Sequence, residues 1–420
     1  MAIIVQKYGG SSVADTGKLL RVADQVCKVR EAGDDLVVVV SAMGRTTDEL
    51  LDKAKSISPA PPRRELDMLL SVGERISMAL LSIAIQERGF HAISLTGSQC
   101  GIITNDRHSD ARIIEVRPFR VQDELDRGSI VIVAGYQGVS YKREVTTLGR
   151  GGSDTTAVAL AAALQADRCE IYSDVDGVYS ADPREVEEAR HLPEISYPEM
   201  QEMATAGAKV LNAQAVEFAK RAGIALYCRA SFQPGRETIV RRDVPIEEHG
   251  VRAVVSESKV VRVRLRGHAA AQKLAALVRV AEQAGAPIKE VGVTTPSDDA
   301  KLAWARGAFV VSLTNVPDWP QVVAKLREVA GDELEVDEHL GALSLIGEGV
   351  NKDNRNLLHA LEVLEAEGIR PGGVTTTGFR ISLLVDRPRL VEAKRACHRA
   401  FIEEAAVCTP LDSESIASED

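Results

Sequence analysis

The sequence predicts an α/β domain followed by two small α+β modules. In the first half of the 420-residue chain, continuous apolar runs alternate with segments of helical periodicity. The runs at 36–40, 129–133 and 170–172 are typical of strands that are buried on both faces. Helices between such strands cover both sides of a sheet, so the predicted domain is doubly wound. A change of pattern after residue 250 indicates the smaller modules.

The chain opens with a strand, a glycine turn and a helix. An apolar run at 3–5 leads into Lys7, Gly9 and Gly10, and residues 16–30 carry the i, i+3, i+4, i+7 apolar stripe of an amphipathic helix. A lysine at such a turn can neutralise phosphate charge while glycines bring backbone amides close to the oxygens. The alternative is a surface lysine without a function.

A second glycine-rich turn, residues 147–152, leads into a helical pattern at 157–166. Gly151 and Gly152 permit close backbone approach, and Arg150 offers a planar fork that suits a carboxylate or phosphate. Asp154 would also fit a plain helix N-cap. Neither turn matches the P-loop or the dinucleotide-binding fingerprint, so phosphate binding requires another arrangement.

The third cluster, residues 171–184, follows a strand-like run and contains three acids, two tyrosines and one arginine. A loop at the carboxyl end of a strand is where open α/β sheets bind ligands. Tyr179 could pack against a nucleobase, and Asp174 or Asp182 could contact ribose or a hydrated Mg²⁺. Asp-Gly and Asp-Pro pairs also form ordinary turns.

Together these clusters resemble the aspartokinases of the amino-acid kinase family. The motifs follow the family's order across roughly the first 230 residues. They are Lys7-Tyr8-Gly9-Gly10-Ser11-Ser12, Ser41-Ala42-Met43-Gly44, Gly73-Glu74-Arg75, Ala134-Gly135-Tyr136-Gln137-Gly138, the 147–156 turn, Ser173-Asp174-Val175-Asp176-Gly177-Val178-Tyr179, Asp182-Pro183-Arg184 and Gly207-Ala208-Lys209-Val210-Leu211. The resemblance implies an amino-acid-kinase-type, mostly parallel sheet with helices on both faces, with aspartate and ATP along its carboxyl edge.

The activity that the resemblance implies is transfer of the γ-phosphoryl group of ATP to the side-chain carboxylate of L-aspartate. The product, 4-phospho-L-aspartate, would enter lysine, threonine and methionine synthesis. A carboxylate with a pKa of about 3.9 is already ionised at pH 7, so this nucleophile needs no general base. The reaction requires neutralisation of mutually repelling anions, which lysine, Mg²⁺ and backbone amides supply.

The resemblance also implies individual roles. Lys7 stabilises the transferring phosphoryl group, Asp154 holds Lys7 or the substrate, Arg150 clamps the α-carboxylate, and Glu74 pairs with the α-ammonium. Ser41 and Thr47 provide hydroxyl contacts, or are turn residues. The predicted aspartate contacts are Ser41, Thr47, Glu74, Arg150, Gly151, Gly152, Ser153 and Asp154. The predicted ATP contacts are Lys7, Tyr8, Gly9, Gly10, Ser173, Asp174, Tyr179, Asp182, Pro183, Arg184 and a helical Lys209. No metal site made of protein ligands alone is predicted.

Composition favours a cytoplasmic protein. A net charge of −10 and a pI near 5.5 argue against nucleic acid or an anionic membrane as a partner. The six cysteines show neither C-x-x-C nor metal-ligand spacing, which indicates reduced core residues. No signal peptide is apparent, and no apolar run is expected to approach the roughly 20 residues of a membrane span.

Turn formers and charges at 233–250 mark a domain boundary. The predicted organisation is a catalytic domain at 1–232, a linker at 233–252, modules at 253–340 and 341–409, and an acidic, disordered tail at 410–420. Each module shows strand-like and helical segments in alternation. In position and pattern the modules resemble paired ACT domains, which bind amino acids such as lysine or threonine and mediate dimerisation.

Both modules depart from the ACT pattern at the first strand-to-helix turn. The first module has Arg264-Leu265-Arg266-Gly267-His268-Ala269 where the family usually has an acidic residue and Pro-Gly, and the second has Gly349-Val350-Asn351-Lys352-Asp353-Asn354. We therefore expect a weak or altered response to lysine and threonine. A separate regulatory subunit translated from an internal methionine is not expected, because no methionine follows Met203. The predicted assembly is therefore a homodimer of a single kind of chain.

Two other functions fit parts of the sequence. A kinase of the same superfamily that acts on glutamate, acetylglutamate or UMP would share the ATP loops, but not Glu74, Arg150 and Asp154 as a set. A catalytically idle amino-acid sensor would keep the fold without the reaction. The retained charges argue against the sensor, because unpaired ions in a dry site destabilise a fold.

Overall fold

The computed structural model describes residues 2–233, 235–244, 250–267, 270–294, 306–316 and 318–404. The strands of the first part are β1 (Ile3–Tyr8), β2 (Asp35–Val40), β3 (Ala92–Leu95), β4 (Ile102–Thr104), β5 (Ile113–Val116), β6 (Ile130–Ala134), β7 (Gln137–Ser140), β8 (Val145–Thr147), β9 (Arg168–Ser173), β10 (Val178–Tyr179), β11 (His191–Leu192), β12 (Glu194–Ser196), β13 (Leu226–Ala230) and β14 (Glu237–Arg241). Its helices are α1 (Thr16–Glu31), α2 (Thr46–Ile57), α3 (Arg63–Leu70), α4 (Val72–Gln86), α5 (Phe119–Asp126), α6 (Gly152–Leu164), α7 (Tyr197–Thr205) and α8 (Ala213–Ala222).

An eight-stranded sheet in the order β12-β14-β13-β9-β1-β2-β6-β3 forms the centre of this part. The strands from β13 to β3 in that order run parallel, and β14 is antiparallel to β13. In the register, Tyr8 lies beside both Val40 and Tyr172. The loops that follow the central strands therefore emerge side by side at one edge.

Two hydrophobic cores lie on the two faces of this sheet. Side chains alternate across a strand, so Val37 and Val39 enter one core, whereas Val38 and Val40 enter the other. The first core is closed by helices that include α6 and α8, and the second by α1 and α4. The predicted doubly wound α/β fold is confirmed.

The second part contains two four-stranded antiparallel sheets. Its strands are β15 (Ala253–Glu257), β16 (Val260–Arg266), β17 (Ile288–Thr294), β18 (Arg306–Ser312), β19 (Leu334–Asp337), β20 (Leu340–Ile346), β21 (Gly373–Thr376) and β22 (Arg380–Asp386), and its helices are α9 (Ala270–Gln283), α10 (Trp319–Ala330), α11 (Arg355–Ala366) and α12 (Leu390–His398). The sheet β17-β18-β16-β19 packs with α9 and α10, and the sheet β15-β20-β22-β21 packs with α11 and α12. Two α+β modules are thus confirmed.

The predicted domain boundaries are wrong at two strands. β14, inside the predicted linker, pairs with β12 and β13 in the large sheet, so the first domain extends beyond residue 232. β15, assigned to the first module, pairs with β20 of the second module's sheet. Sequence proximity is misleading for β15 because its partner strand, β20, lies far along the chain. β14 instead pairs with the strand that directly precedes it, so the sheet continues into the predicted linker. The predicted acidic tail lies outside the described residues.

Helices α3 and α4 together form the apolar stretch Arg63–Gln86. Its 24 residues include an 18-residue window that is apolar enough for a membrane span by length and composition, contrary to the prediction that no such stretch exists. However, 56% of its most apolar window is buried inside the fold, and Leu81 and Ile85 are fully buried in the second core. Core packing accounts for the buried part of this stretch, whereas Met68, Val72, Ile76, Leu80 and Ile83 are exposed. The cysteines within the described ranges are free and buried.

Adjacent leucines of α4 test this packing. Leu81 is 0% exposed and Leu80 is 41% exposed. We expect Leu81→Ala to lower the free energy of unfolding by about 2–5 kcal/mol, because it leaves a cavity, and Leu80→Ala to change it by about 0.5 kcal/mol or less. Urea unfolding of both variants measures the difference. Equal losses would contradict the assignment of the buried face.

Candidate active site

Backbone hydrogen bonds between loops join the carboxyl ends of the central strands. The Gly9 N–H donates to the Tyr172 carbonyl over 3.1 Å, and the Ser41 N–H donates to the Tyr8 carbonyl over 3.1 Å. A side chain at Gly10 would meet the carbonyl oxygen of the loop after β2 at 2.8 Å. The loops after β1, β2 and β9 therefore form one continuous rim.

A buried ion pair lies beneath this rim. The Nζ atom of Lys7, on β1, lies 2.6 Å from Oδ1 of Asp154, in the first turn of α6, and these side chains are 11% and 8% exposed. A Cβ at Gly9 would lie 3.5 Å from the same Nζ atom. Asp154 thus holds Lys7 directly, which is one of the two roles that the sequence left open.

The 147–152 turn adopts the left-handed backbone that its glycines allow. Gly149 and Gly151 have φ values of 72° and 76°, and Gly151 is the N-cap residue of α6. The reading of Asp154 as an N-cap is therefore wrong, because Asp154 lies inside the helix. Arg150 is exposed at the tip of the turn, and its guanidinium pairs with no acidic side chain in the ranges that the structure describes.

The start of α6 packs tightly against the end of β6. A Cβ at Gly135 would lie 2.7 Å from both Cβ and Oγ of Ser153, so this contact requires glycine. The next residue, Tyr136, has a φ of 69° and packs against Gly152. Burial raises the pKa of Tyr136. Tyr136 lies in one of the family motifs, but the sequence predicted no role for it in the site.

Asp67 is a further residue that sequence reasoning missed. It is 0% exposed, and its carboxylate accepts from Thr147 Oγ1 at 2.6 Å and from the Ser109 N–H at 3.0 Å. His108 Nδ1 lies 2.7 Å from its other oxygen. Asp67 thereby anchors the beginning of the Arg150 turn. It lies on α3, outside every motif, so only spatial proximity shows it.

Glu74 presents a buried carboxylate to the rim. It is 3% exposed, and its Oε1 accepts from the Ala42 N–H at 3.1 Å. Its Oε2 is also buried and has no hydrogen-bond partner among the residues described. Burial raises the pKa of Glu74 to about 7. An unsatisfied buried oxygen of this kind is suited to receive a cationic ligand.

The residues predicted to contact ATP lie mainly after β9. Asp174 and Pro183 are exposed, and Asp182 accepts from Arg184 Nη2 at 2.8 Å, a contact that lowers the pKa of Asp182. The Tyr179 hydroxyl donates to Asp176 at 2.6 Å. The hydroxyl of Ser173 donates to a backbone carbonyl two residues on, at 3.1 Å.

Two of the predicted ATP contacts need correction. The Tyr8 ring is 0% exposed and stacks on Tyr172 at 4.8 Å, so only its backbone faces the rim. Lys209 is exposed in a bend between α7 and α8 and not in a helix. Ser41 lies in the loop after β2 and is half-buried near the rim. Thr47 is half-buried in the first turn of α2, so its interpretation as a turn residue is wrong.

Comparison with known proteins agrees with this architecture. The model of the Amino acid kinase family matches residues 2–230. An aspartokinase from Mycolicibacterium smegmatis is 45% identical over 408 residues, which are 96% of each chain. An aspartokinase from Geobacillus stearothermophilus is 42% identical over 97% of this chain and 99% of its own length.

Solved structures lead to the same family. E. coli aspartokinase III in complex with aspartate and ADP superposes with a TM-score of 0.80 at 26% identity, covering 94% of this chain and 99% of that one. The same enzyme with lysine and aspartate gives a TM-score of 0.68 at 26% identity, covering 95% and 99%. The chain therefore belongs to the amino acid kinase family and, within it, to the aspartokinases.

The buried Glu74 carboxyl makes the stability of the ligand-free protein depend on pH. Its pKa is about 7 in the fold against an ordinary 4.5, so between these values the unfolded chain loses a proton that the folded chain keeps. Relative to Glu74→Gln, we expect the wild type to lose about 3 kcal/mol of stability as pH rises from about 5 to about 8. Urea unfolding across this range measures the difference.

Glu87→Gln is the matched control, because Glu87 is exposed immediately after α4. Its stability should follow the wild type at every pH. Parallel curves for the wild type and Glu74→Gln would show that burial does not raise the pKa of Glu74.

Proposed function

We propose that this chain transfers the γ-phosphoryl group of ATP to the side-chain carboxylate of L-aspartate. The observation that carries the proposal is the buried pair of Lys7 and Asp154, 2.6 Å apart beside the glycine amides of the first loop. Full-length relatives named as aspartokinases support it. Phosphoryl transfer between two anions depends on such a fixed cation.

Aspartate carries one cation and two anions, and the rim offers a complement to each. Glu74, with its unsatisfied Oε2, receives the α-ammonium. Arg150, exposed and without an acidic partner among the described residues, clamps the α-carboxylate through two parallel hydrogen bonds. The hydroxyls of Ser41, Thr47 and Ser153, with the amides of the glycine turn, hold the remaining oxygens.

The chemistry requires no base. The aspartate side chain is ionised at neutral pH, so its oxygen attacks the γ-phosphorus directly, and the bond between that phosphorus and the β–γ bridging oxygen breaks to release ADP. Lys7 neutralises charge on the transferred oxygens, and Asp154 keeps the ammonium in place. The glycine amides add fixed dipoles that do not reorganise during the reaction.

ATP binds along the segment from Ser173 to Arg184, with Lys209 near its phosphates. Asp174 and the Asp182 carboxylate supply oxygens that suit ribose or a hydrated cation. No group of three or more metal-ligating side chains occurs within the ranges described, so Mg²⁺ would be held mainly by the nucleotide and water. When bound, Mg²⁺ neutralises phosphate charge.

The two α+β modules form the regulatory part of a cytoplasmic homodimer in this proposal. The lysine complex of E. coli aspartokinase III supports an amino-acid effector for the family. The departures at 264–269 and 349–354 favour a weak response to lysine or threonine, measurable as inhibition of ADP release. His268 and Ala269 lie outside the described residues.

Replacement of Lys7 tests the reaction. Lys7→Met should lower the rate of aspartate-dependent ADP release by roughly 10²- to 10³-fold, because it removes the cation beside the phosphoryl group. It also leaves the Asp154 carboxylate buried without its partner, at a cost of about 3–5 kcal/mol in stability. Lys7→Arg keeps the charge and the fold but changes the geometry, so it should fold and still be slow.

ADP release is measured with Mg-ATP and L-aspartate, and with L-glutamate, N-acetyl-L-glutamate or UMP as alternative acceptors; acyl phosphate is trapped as the hydroxamate. Lys28→Met, at an exposed position of α1, is the matched control and should be fully active. Turnover with another acceptor alone would assign a different kinase. A folded protein that binds ATP but is silent with every acceptor would support the idle sensor.

Glu74 also predicts proton release on substrate binding. Its pKa of about 7 keeps much of the carboxyl protonated below neutral pH, and pairing with the α-ammonium requires the ionised form. Calorimetry at pH 6 in buffers of different ionisation enthalpy should show release of up to about one proton per aspartate bound, and close to none at pH 8.5. Equal proton release at both pH values would show that Glu74 does not pair with the α-ammonium of aspartate.

A further inference from the structure

The backbone of Arg150 is held from both sides by asparagine side chains. Asn212 Nδ2, at the N-cap of α8, donates to the Arg150 carbonyl at 2.8 Å. Asn315 Oδ1 accepts from the Arg150 N–H at 3.1 Å. Asn212 belongs to the first domain, whereas Asn315 follows β18 in the first α+β module. The turn that carries the arginine is therefore completed by another part of the chain.

Asn315 is itself held in place. Its Nδ2 donates to Asp110 Oδ1 at 3.0 Å, so the same amide joins two segments of the first domain. A Cβ at Gly149 would lie 2.8 Å from that Asp110 oxygen and 2.9 Å from Asn315 Nδ2. The contact is thus too close for any residue but glycine. Burial raises the pKa of Asp110, in agreement with a desolvated junction.

Other contacts dock the module at the same place without touching the turn. Arg63 Nη2, at the start of α3, lies 2.5 Å from Oδ1 of Asp318, which precedes α10. Arg107 Nη1 lies 3.6 Å from Glu282 Oε1. In the loop after β18, Asn315 and Asp318 both contact the first domain, and of these two only Asn315 contacts Arg150.

We propose that Asn315 is a positioning residue for the Arg150 turn, so that the first α+β module completes the aspartate side of the site. The inference rests on the proposed role of Arg150 as the clamp of the substrate α-carboxylate. A bidentate clamp works only if its backbone is held, because freedom in the turn is lost when the substrate binds. ATP binds elsewhere on the rim and does not depend on this contact.

Steady-state kinetics of Asn315→Ala test the proposal. We expect the KM for aspartate to rise roughly 3- to 10-fold, as one lost hydrogen bond implies, while kcat and the KM for ATP change less than about 2-fold. Asp110→Ala removes the anchor of Asn315 and should raise the same KM. Asp318→Asn weakens the neighbouring contact of the same loop and should leave the KM for aspartate unchanged.

Hydrogen exchange of the ligand-free protein gives a readout independent of the reaction. Asn315→Ala should accelerate exchange in a peptide covering 147–152 by roughly 5-fold or more, and Asp318→Asn should not. An unchanged KM and unchanged exchange in Asn315→Ala, or equal effects of Asp318→Asn, would overturn the inference. Faster exchange in a protein without aspartate-dependent turnover would reject the proposed function and keep the structural role of Asn315.

Discussion

The buried ion pair between Lys7 and Asp154 is the interaction on which the rest of the site depends. Two charges that are removed from water are tolerated only when their geometry is close and fixed. β1 lies in the middle of a parallel sheet and fixes the lysine, and α6 brings the aspartate to 2.6 Å. The contact between Gly135 and Ser153 sets how near the helix can come. Glycine at position 135 therefore avoids a clash with Ser153 and also allows α6 to bring Asp154 within reach of Lys7.

Around this neutral pair the rim is left electrostatically incomplete. Glu74 keeps one buried oxygen without a partner in the described part of the chain, and the Arg150 guanidinium pairs there with no acid. Burial of the Glu74 carboxylate without a partner for Oε2 destabilises its ionised form, as its raised pKa indicates. The exposed Arg150 guanidinium carries no such cost. A ligand that carries a cation and an anion, as the α-ammonium and α-carboxylate of an amino acid do, complements both groups.

Both α+β modules contact loops of the first domain that belong to the proposed site. The first module meets the Arg150 turn through Asn315. The second meets the segment after β9 that is proposed to bind ATP, where His398 Nε2 lies 2.8 Å from Ser180 Oγ and Lys394 pairs with Glu185. Under the proposed assignment, a displacement of the first module would affect the aspartate side of the site, and a displacement of the second would affect the ATP side. His398 is 0% exposed and packs at this junction.

The sequence by itself determined the local features of this protein. Apolar runs specified the central strands, and glycine turns beside Lys7 and Arg150 identified the rim, because each signal lies within a few neighbouring residues. Glu74 lies inside α4, and only the family resemblance pointed to it. Tertiary structure alone decided what depends on distant pairing. Only the folded chain shows that Asp67 anchors the turn, that Asn315 reaches it from another module, that the Tyr8 ring faces the core, that β14 belongs to the large sheet and not to a linker, and that β15 joins the sheet of the second module. Local periodicity cannot specify partners that lie tens or hundreds of residues away, since their selection follows from packing.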